Sequence, residues 1–335
     1  MLDPAGARRP TGVPGSGGGE RMLFEPDAAE VIMAPEAPAA GYWVGAPSVL
    51  RRGTDVLLTY RRRRPRGLAS DRGYAAAIAV SADGVHFDDV AVLRKEDLGT
   101  TSIERSALLP DPQGGWVWLV SYVDPADGRW RIDALRAPNL AGLPTGRRTP
   151  VLTAADIGGE GVKDPVPLLV GGEVILLVSC ARRAADAPAA EMHASHDAYN
   201  TGLVTCFTGL ARSRDLRTWH WQGPCLQPGA GWDRYQARLG CAVPVGPLWV
   251  GLYDGSADVS ANYEERLGVA VSTDLAAWRS LCPDGPAVIS AGQSGSVRYA
   301  DVLTDAEGLW VYFECSRGDG AHDLRRARLR WKAAS

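Results

Sequence analysis

The sequence predicts an all-β chain folded as a five-bladed β-propeller, its ring closed by an N-terminal strand. Three observations predict this: a turn motif that recurs along the chain, five apolar hairpins at blade-like spacing, and a last blade that ends one strand short.

The turn motif is Ser, any residue, Asp, then Gly or Leu, two further residues and a large aromatic. It stands at Ser81-Ala-Asp-Gly-Val-His-Phe87, Ser213-Arg-Asp-Leu-Arg-Thr-Trp219 and Ser272-Thr-Asp-Leu-Ala-Ala-Trp278. A degenerate copy, Ala137-Pro-Asn-Leu-Ala-Gly-Leu143, falls between the first two and sets spacings of about 56, 76 and 59 residues. Each full copy follows a short β-forming run. The Ser and Asp side chains are therefore expected to bond the turn backbone while the aromatic starts the next strand.

Upstream of each copy, an apolar run is broken by a Gly- or Pro-containing turn and followed by a second β-forming run. These hairpins are Pro47 to Tyr60, Arg105 to Tyr122, Pro165 to Cys180, Arg238 to Tyr253 and Arg298 to Glu314. Five hairpins imply five blades. The fifth adds a strand at Leu324 to Trp331 and then the chain stops, so Met22 to Ile32 is expected to supply the missing outer strand and remove the open edge. The division expected is a disordered leader over 1–20 and one propeller domain over 21–335.

Composition narrows the function. With 335 residues, 45% of them hydrophobic, the chain can bury a full core, and a net charge of −3 gives no basic field for phosphate backbones. Neither nucleic acid nor membrane is expected as a partner: residues 1–20 are rich in Gly, Pro, Ala and Arg and hold no apolar run of signal-peptide or spanning length. The six cysteines show no C-x-x-C spacing. They read as reduced thiols of a cytoplasmic chain, with neither metal nor cofactor.

If each blade's first strand is its inner one, its start and the end of the second strand share the channel mouth. The aligned hairpins then bring Ala46, Glu104, Asp164, Ala237 and Val297 to one position, with Arg105, Arg238 and Arg298 at the next. The second strands end at Tyr60-Arg61, at Tyr122 to Asp124, at Cys180 to Arg182, at Tyr253-Asp254 and at Glu314 to Arg317. Glu104 and Asp164 on neighbouring blades form a carboxylate pair of the kind glycoside cleavage needs, one protonated toward the leaving oxygen and one ionised. Asp254, Glu265 and Glu314 are candidates for a third acid. Arg61, Arg105, Arg238, Arg298, Tyr122, Tyr253 and Asp301 are candidates for holding substrate, since arginine suits carboxylate, phosphate or paired hydroxyls. The plainer alternatives are a salt bridge for Glu104, a turn cap for Asp164, solubilising acids at Glu264 and Glu265, and structural pairing of the arginines with Glu104, Asp164 or Asp301. An insertion from Arg183 to Asn200 is either a lid over this face or a surface excursion.

Val162-Lys-Asp-Pro165, Ile103-Glu-Arg105 and the repeated Ser-x-Asp-Leu-x-x-Trp turn resemble the five-bladed propeller glycosidases of glycoside hydrolase families 43, 32, 68, 117 and 130, over residues 22 to 331. The resemblance implies a functional carboxylate at Asp164. It also exposes departures: family 43 enzymes carry an Asp where Gly45-Ala46-Pro47 stands, and a fourth-blade acid where Gln236-Ala-Arg238 stands. The function implied is hydrolysis of a small carbohydrate or glycoside by paired carboxylates. The alternatives are phosphorolysis with arginine-bound phosphate, in similarity to family 130, or a non-catalytic carbohydrate-binding propeller.

Overall fold

The structure, a computed structural model, describes residues 22–68 and 71–331. The leader expected at 1–20 lies outside the described residues. The fold is all-β. A short strand β1 (Glu30–Met33) precedes five antiparallel meanders. The first holds β2 (Trp43–Arg52), β3 (Asp55–Arg64), β4 (Arg72–Ser81) and β5 (Asp88–Arg94). The second holds β6 (Ile103–Pro110), β7 (Trp116–Val123), β8 (Trp130–Ala137) and β9 (Arg147–Leu152). The third holds β10 (Gly161–Val170), β11 (Glu173–Arg183), β12 (Val204–Ser213) and β13 (His220–Leu226), with the helix α1 (Ala189–Ala194) inserted after β11. The fourth holds β14 (Gln236–Val245), β15 (Leu248–Ser256), β16 (Arg266–Ser272) and β17 (Arg279–Ser280). The fifth holds β18 (Val297–Asp305), β19 (Gly308–Ser316) and β20 (His322–Arg330).

The fifth meander lacks a fourth strand of its own, and β1 supplies it. Glu30 pairs with Arg326, Val31 with Arg325 and Met33 with Leu324, antiparallel to β20. The closing strand is thus shorter and later than Met22 to Ile32. Ahead of it Phe24 packs on Phe313, ring centroids 5.0 Å apart, and the Leu23 N–H donates to the Ala287 carbonyl at 3.4 Å, so the preceding segment joins the core without forming a strand.

The recurrent turns form as their residues dictate. The Ser272 hydroxyl accepts from the backbone N–H of Leu275 at 2.9 Å, and Asp274 Oδ1 accepts from the N–H groups of Ala276 and Ala277 at 2.9 and 3.0 Å. Ser213 with Asp215 and Ser81 with Asp83 repeat the pattern. The fourth position takes a positive φ in each of the three full copies: 75° at Gly84, 61° at Leu216 and 66° at Leu275.

Apolar side chains of each meander pack against the next. One cluster joins Leu57 and Ile78 to Trp118 and Val120; the next joins Leu119 and Ile132 to Leu176 and Val178. The series continues through the third to fifth meanders and ends with Leu58 and Ala77 against Tyr312 and Leu324. The first strands follow one another in space, β2 beside β6, β6 beside β10, β10 beside β14, β14 beside β18, and β18 back against β2. This closed order brings the first-strand bulges together at the centre. Among the described residues no helix is long and apolar enough to cross a membrane.

Candidate active site

Each first strand breaks register against its second strand near one level: between Gly45 and Ser48, Ile103 and Ser106, Lys163 and Val166, Leu239 and Cys241, and Arg298 and Asp301. A bulge adds a residue on one strand and redirects its side chain. Ala46, Asp164 and Tyr299 sit in these bulges with φ of 51°, 59° and 55°, a left-handed conformation that costs a non-glycine residue roughly 1 kcal/mol or more.

The bulges correct the hairpin alignment. The residue equivalent to Asp164 in the fifth meander is Tyr299, not Val297, and in the fourth the break falls beyond Leu239, not at Ala237. Arg238 and Arg298 do share a position, opposite Asp254 and Glu314. Arg105 does not, because it lies inside its own bulge. Its guanidinium turns to Asp301 at 3.4 Å, and Asp301 lines a separate cavity of about 470 Å³ with Leu50, Leu108 and Val166.

The remaining charges converge. Arg238 reaches Asp254 at 2.7 Å, Asp164 at 3.1 Å and Glu265 at 3.4 Å. Arg298 reaches Glu265 and Glu314, each at 2.7 Å. Arg61 bonds Glu104 and, at 2.9 Å, Glu314. The Tyr299 hydroxyl donates to Glu104 at 3.2 Å and accepts from Arg238 at 3.3 Å, and the Arg61, Arg238 and Arg298 guanidinium carbons stand 5.6, 4.2 and 5.1 Å from its ring centroid. His322 Nδ1 lies 2.8 Å from Glu314 while its ring stacks on Trp43. All five candidate carboxylates, at Glu104, Asp164, Asp254, Glu265 and Glu314, are at most 3% exposed. Glu265 is therefore a member of the cluster and not a solubilising loop acid.

Burial and pairing push these acids apart. Burial works to raise Glu104 and Glu265, but the guanidinium groups beside them outweigh it and bring each to about 2. Glu314 is likewise held well below the carboxylate range by Arg298 and Arg61 against the cost of burial. At Asp254 burial wins despite Arg238, and its pKa rises to about 6. Asp164 is distinguished by geometry. Oδ2 is held by Arg238, its backbone N–H donates to Ser121 Oγ at 2.8 Å, and Oδ1 has no hydrogen-bond partner among the described residues. A buried carboxylate oxygen left without a donor is the kind of group that meets a ligand or ordered water.

Two tyrosines fall outside the cluster. Tyr122 donates to Asp133 and Tyr253 to Asp233, each at 2.8 Å, and both pack in the apolar layers between meanders. Neighbours along a strand face opposite ways, so Asp254 at the centre sends Tyr253 outward. Tyr299, His322 and Lys163 are cluster residues the alignment did not select. The signal for Tyr299 is Val297-Arg-Tyr299, which repeats the apolar-cation-bulge order of Val162-Lys-Asp164.

The insertion seats across this face. Asp197 accepts from Tyr263 at 2.7 Å and pairs with Arg66 and Arg72; the His196 carbonyl accepts from Arg72 and the Tyr199 carbonyl from Tyr235; His193 meets Glu160 at 2.6 Å. Met192, Ala198 and Tyr199 pack on Trp130 and Cys206, and the Lys163 ammonium stands 4.6 Å from the Tyr199 ring centroid. The insertion packs down on this face rather than projecting from it, the placement a lid would take. Among the described residues no group of three His, Cys, Asp or Glu side chains could hold a metal ion.

No protein-family profile matches the chain. No curated protein matches it in sequence. Solved structures do. A glycoside hydrolase matches at 14% identity with a TM-score of 0.69 and 93% of both chains covered. A thermostable family-43 glycoside hydrolase matches at 14% identity and TM-score 0.59, over 90% of this chain and 94% of the other. A β-1,2-mannobiose phosphorylase from Listeria innocua matches at 12% identity and TM-score 0.58, over 91% and 96%. The chain therefore shares the fold of a family-43 glycoside hydrolase and of a mannobiose phosphorylase across nearly its whole length.

Proposed function

We propose that the meanders are the blades of a single five-bladed propeller domain over 21–335, and that the chain is a glycoside hydrolase acting on a small neutral glycoside. The observation that carries this reading is Asp164, a buried carboxylate on a left-handed bulge with one oxygen fixed by Arg238 and the other without a partner. A carboxylate so held suits the positive charge that develops at an anomeric carbon. Asp254, raised to about 6 by burial and sharing Arg238 with Asp164, suits proton donation to the leaving oxygen. Glu104, Glu265 and Glu314 hold the arginines. Substrate entry requires the lid to move. The unpaired cysteines, most of them buried, go with a cytoplasmic setting.

A neutral substrate follows from pairing. Arg61 and Arg63 face Glu104, Lys163 and Arg238 face Asp164, and Arg298 faces Glu314, so even with Asp254 protonated none of these cations is left unpaired for phosphate. Hydrolysis is accordingly favoured over phosphorolysis. A binding protein is the second reading, supported by Ala46 at the bulge where Asp164 stands in the third meander. The test is turnover of a panel of aryl glycosides and disaccharides in phosphate-free buffer. Free reducing sugar is expected. Product formed only with phosphate, as a sugar 1-phosphate, would replace hydrolysis with phosphorolysis, and sugar binding without turnover of any panel member would replace it with the binding reading.

A further inference from the structure

Outside the charge cluster, on the face covered by the lid, a cavity of about 530 Å³ opens between the insertion and the β15–β16 connection. Its walls include Arg66, Asp197, Asn200, Ser260, Asn262 and Tyr263, and Val259 is the one aliphatic side chain among its lining residues. The charges there cancel, since Arg66 pairs with Asp197. What remains is amide, hydroxyl and one aromatic ring.

Asn262 gives the site its direction. Its side chain is 6% exposed; Nδ2 donates to the Tyr199 carbonyl at 2.9 Å and to Asn200, while Oδ1 has no partner among the described residues. A buried amide oxygen left without a donor carries a desolvation cost that a hydroxyl from a ligand removes. Beside it, Tyr263 holds φ at 79°, a strained value for an aromatic residue, and its hydroxyl donates to Asp197. The Arg63 guanidinium carbon stands 4.5 Å from its ring centroid, and Arg63 also faces Glu104.

We propose that this cavity is a binding site for a neutral saccharide, whose hydroxyl groups donate to Asn262 Oδ1 and Ser260 Oγ and accept from Arg66. An anion would meet Asp197, an apolar body would strand the amides, and a ligand rich in hydroxyls satisfies both requirements. The site is separate from Asp164. The Tyr199 carbonyl anchors Asn262 on one side while the Tyr199 ring covers Lys163 on the other, so a sugar bound here bears on the lid without touching the cluster. The choice of saccharide follows from the cavity walls and does not require the chain to be catalytic.

Saturation-transfer NMR and calorimetry with cellobiose and β-1,2-mannobiose, with glucose 6-phosphate as the anionic comparison, test this on the full chain. Ser260 is exposed, so Ser260→Trp fills the cavity and leaves the fold alone; Asn262→Ala removes the amide. At least one neutral disaccharide is expected to bind more tightly than the sugar phosphate, with affinity falling ~10-fold or more in Ser260→Trp and several-fold in Asn262→Ala. Affinity unchanged in a folded Ser260→Trp protein would place the sugar elsewhere and overturn the proposal. So would failure of the unmodified protein to bind either disaccharide, or preference for the phosphate. Binding lost in Ser260→Trp, in a protein that turns over no glycoside, would sink the hydrolase reading and leave this one standing.

Discussion

The Ser-x-Asp turns and the first-strand bulges both recur around the ring, yet only the turns repeat their side chains. Ser81, Ser213 and Ser272 each receive the N–H three residues on, because the hydroxyl and the following Asp themselves fold the turn. The bulges of Ala46, Asp164 and Tyr299 share a backbone within a few degrees of φ while presenting a methyl, a carboxylate and a phenol. Neighbouring strands hold that backbone, so the side chain is free to serve a site. The turns spend their polar groups locally, on backbone N–H groups two and three residues on; the bulges project theirs into a buried cluster where each charge answers to several others.

That contrast predicts very different sensitivities. Arg238→Met should be the most damaging change, because it strips the shared guanidinium from Asp164 and Asp254 and leaves buried carboxylates unpaired. A loss of roughly 3–5 kcal/mol in urea unfolding is expected. A loss below about 1 kcal/mol would mean that water, not Arg238, solvates the acids.

The pH dependence comes next in size. Asp254 is raised to about 6 in the folded protein, so its protonated form is favoured by folding: its contribution is present below the unfolded value and is lost as pH rises through 6. Glu104 and Glu265, held at about 2, contribute with the opposite sign, and their stabilisation is lost as pH falls from the ordinary carboxylate value toward 2. Between pH 4 and 6.5, unfolding free energy measured against Asp254→Asn should therefore fall with rising pH by on the order of 1–3 kcal/mol. A flat difference would show that Asp254 is ionised throughout.

Ser272→Ala should cost least, about 1 kcal/mol, since the two N–H groups it frees, of Asp274 and Leu275, are neutral and Asp274 still caps the turn. Combining it with Ser213→Ala should give a simple sum, the two turns having no partner in common. Marked non-additivity would erase the distinction between local turns and a coupled centre.

The two recurrences also explain what was legible. The turns, the five hairpins and the outer strand donated from the N-terminal side all rest on local polar chemistry and on apolar runs, which the sequence displays directly. Arg238, Arg298, Asp164, Glu104, Asp254 and Glu314 stand at strand ends of neighbouring hairpins and Glu265 in a connection opening on the same face, so the alignment puts them at one level, where their charges meet in the structure. The bulges broke the reading. A residue added to an apolar strand leaves no mark on its alternation, so Ala237 and Val297 took the places due to later residues, Arg105 was assigned to the cluster although it faces Asp301, and Tyr299 was passed over. Tyr122 and Tyr253 were miscast because one position along a strand exchanges the centre for the apolar layer. The lid was undecidable from its own residues, since its seat is built from Arg66, Arg72, Glu160 and Tyr263, none of them adjacent in sequence.

The central claim, that the unpartnered oxygen of Asp164 meets the substrate, is tested most directly by steady-state kinetics of Asp164→Asn on whichever glycoside the unmodified protein cleaves. The amide keeps the volume and leaves the fold standing, while the charge opposite the forming oxocarbenium is lost. The account predicts a fall in kcat of roughly 10² to 10⁴, KM changing little. Undiminished turnover in a folded Asp164→Asn protein would contradict it and move the chemistry to Asp254.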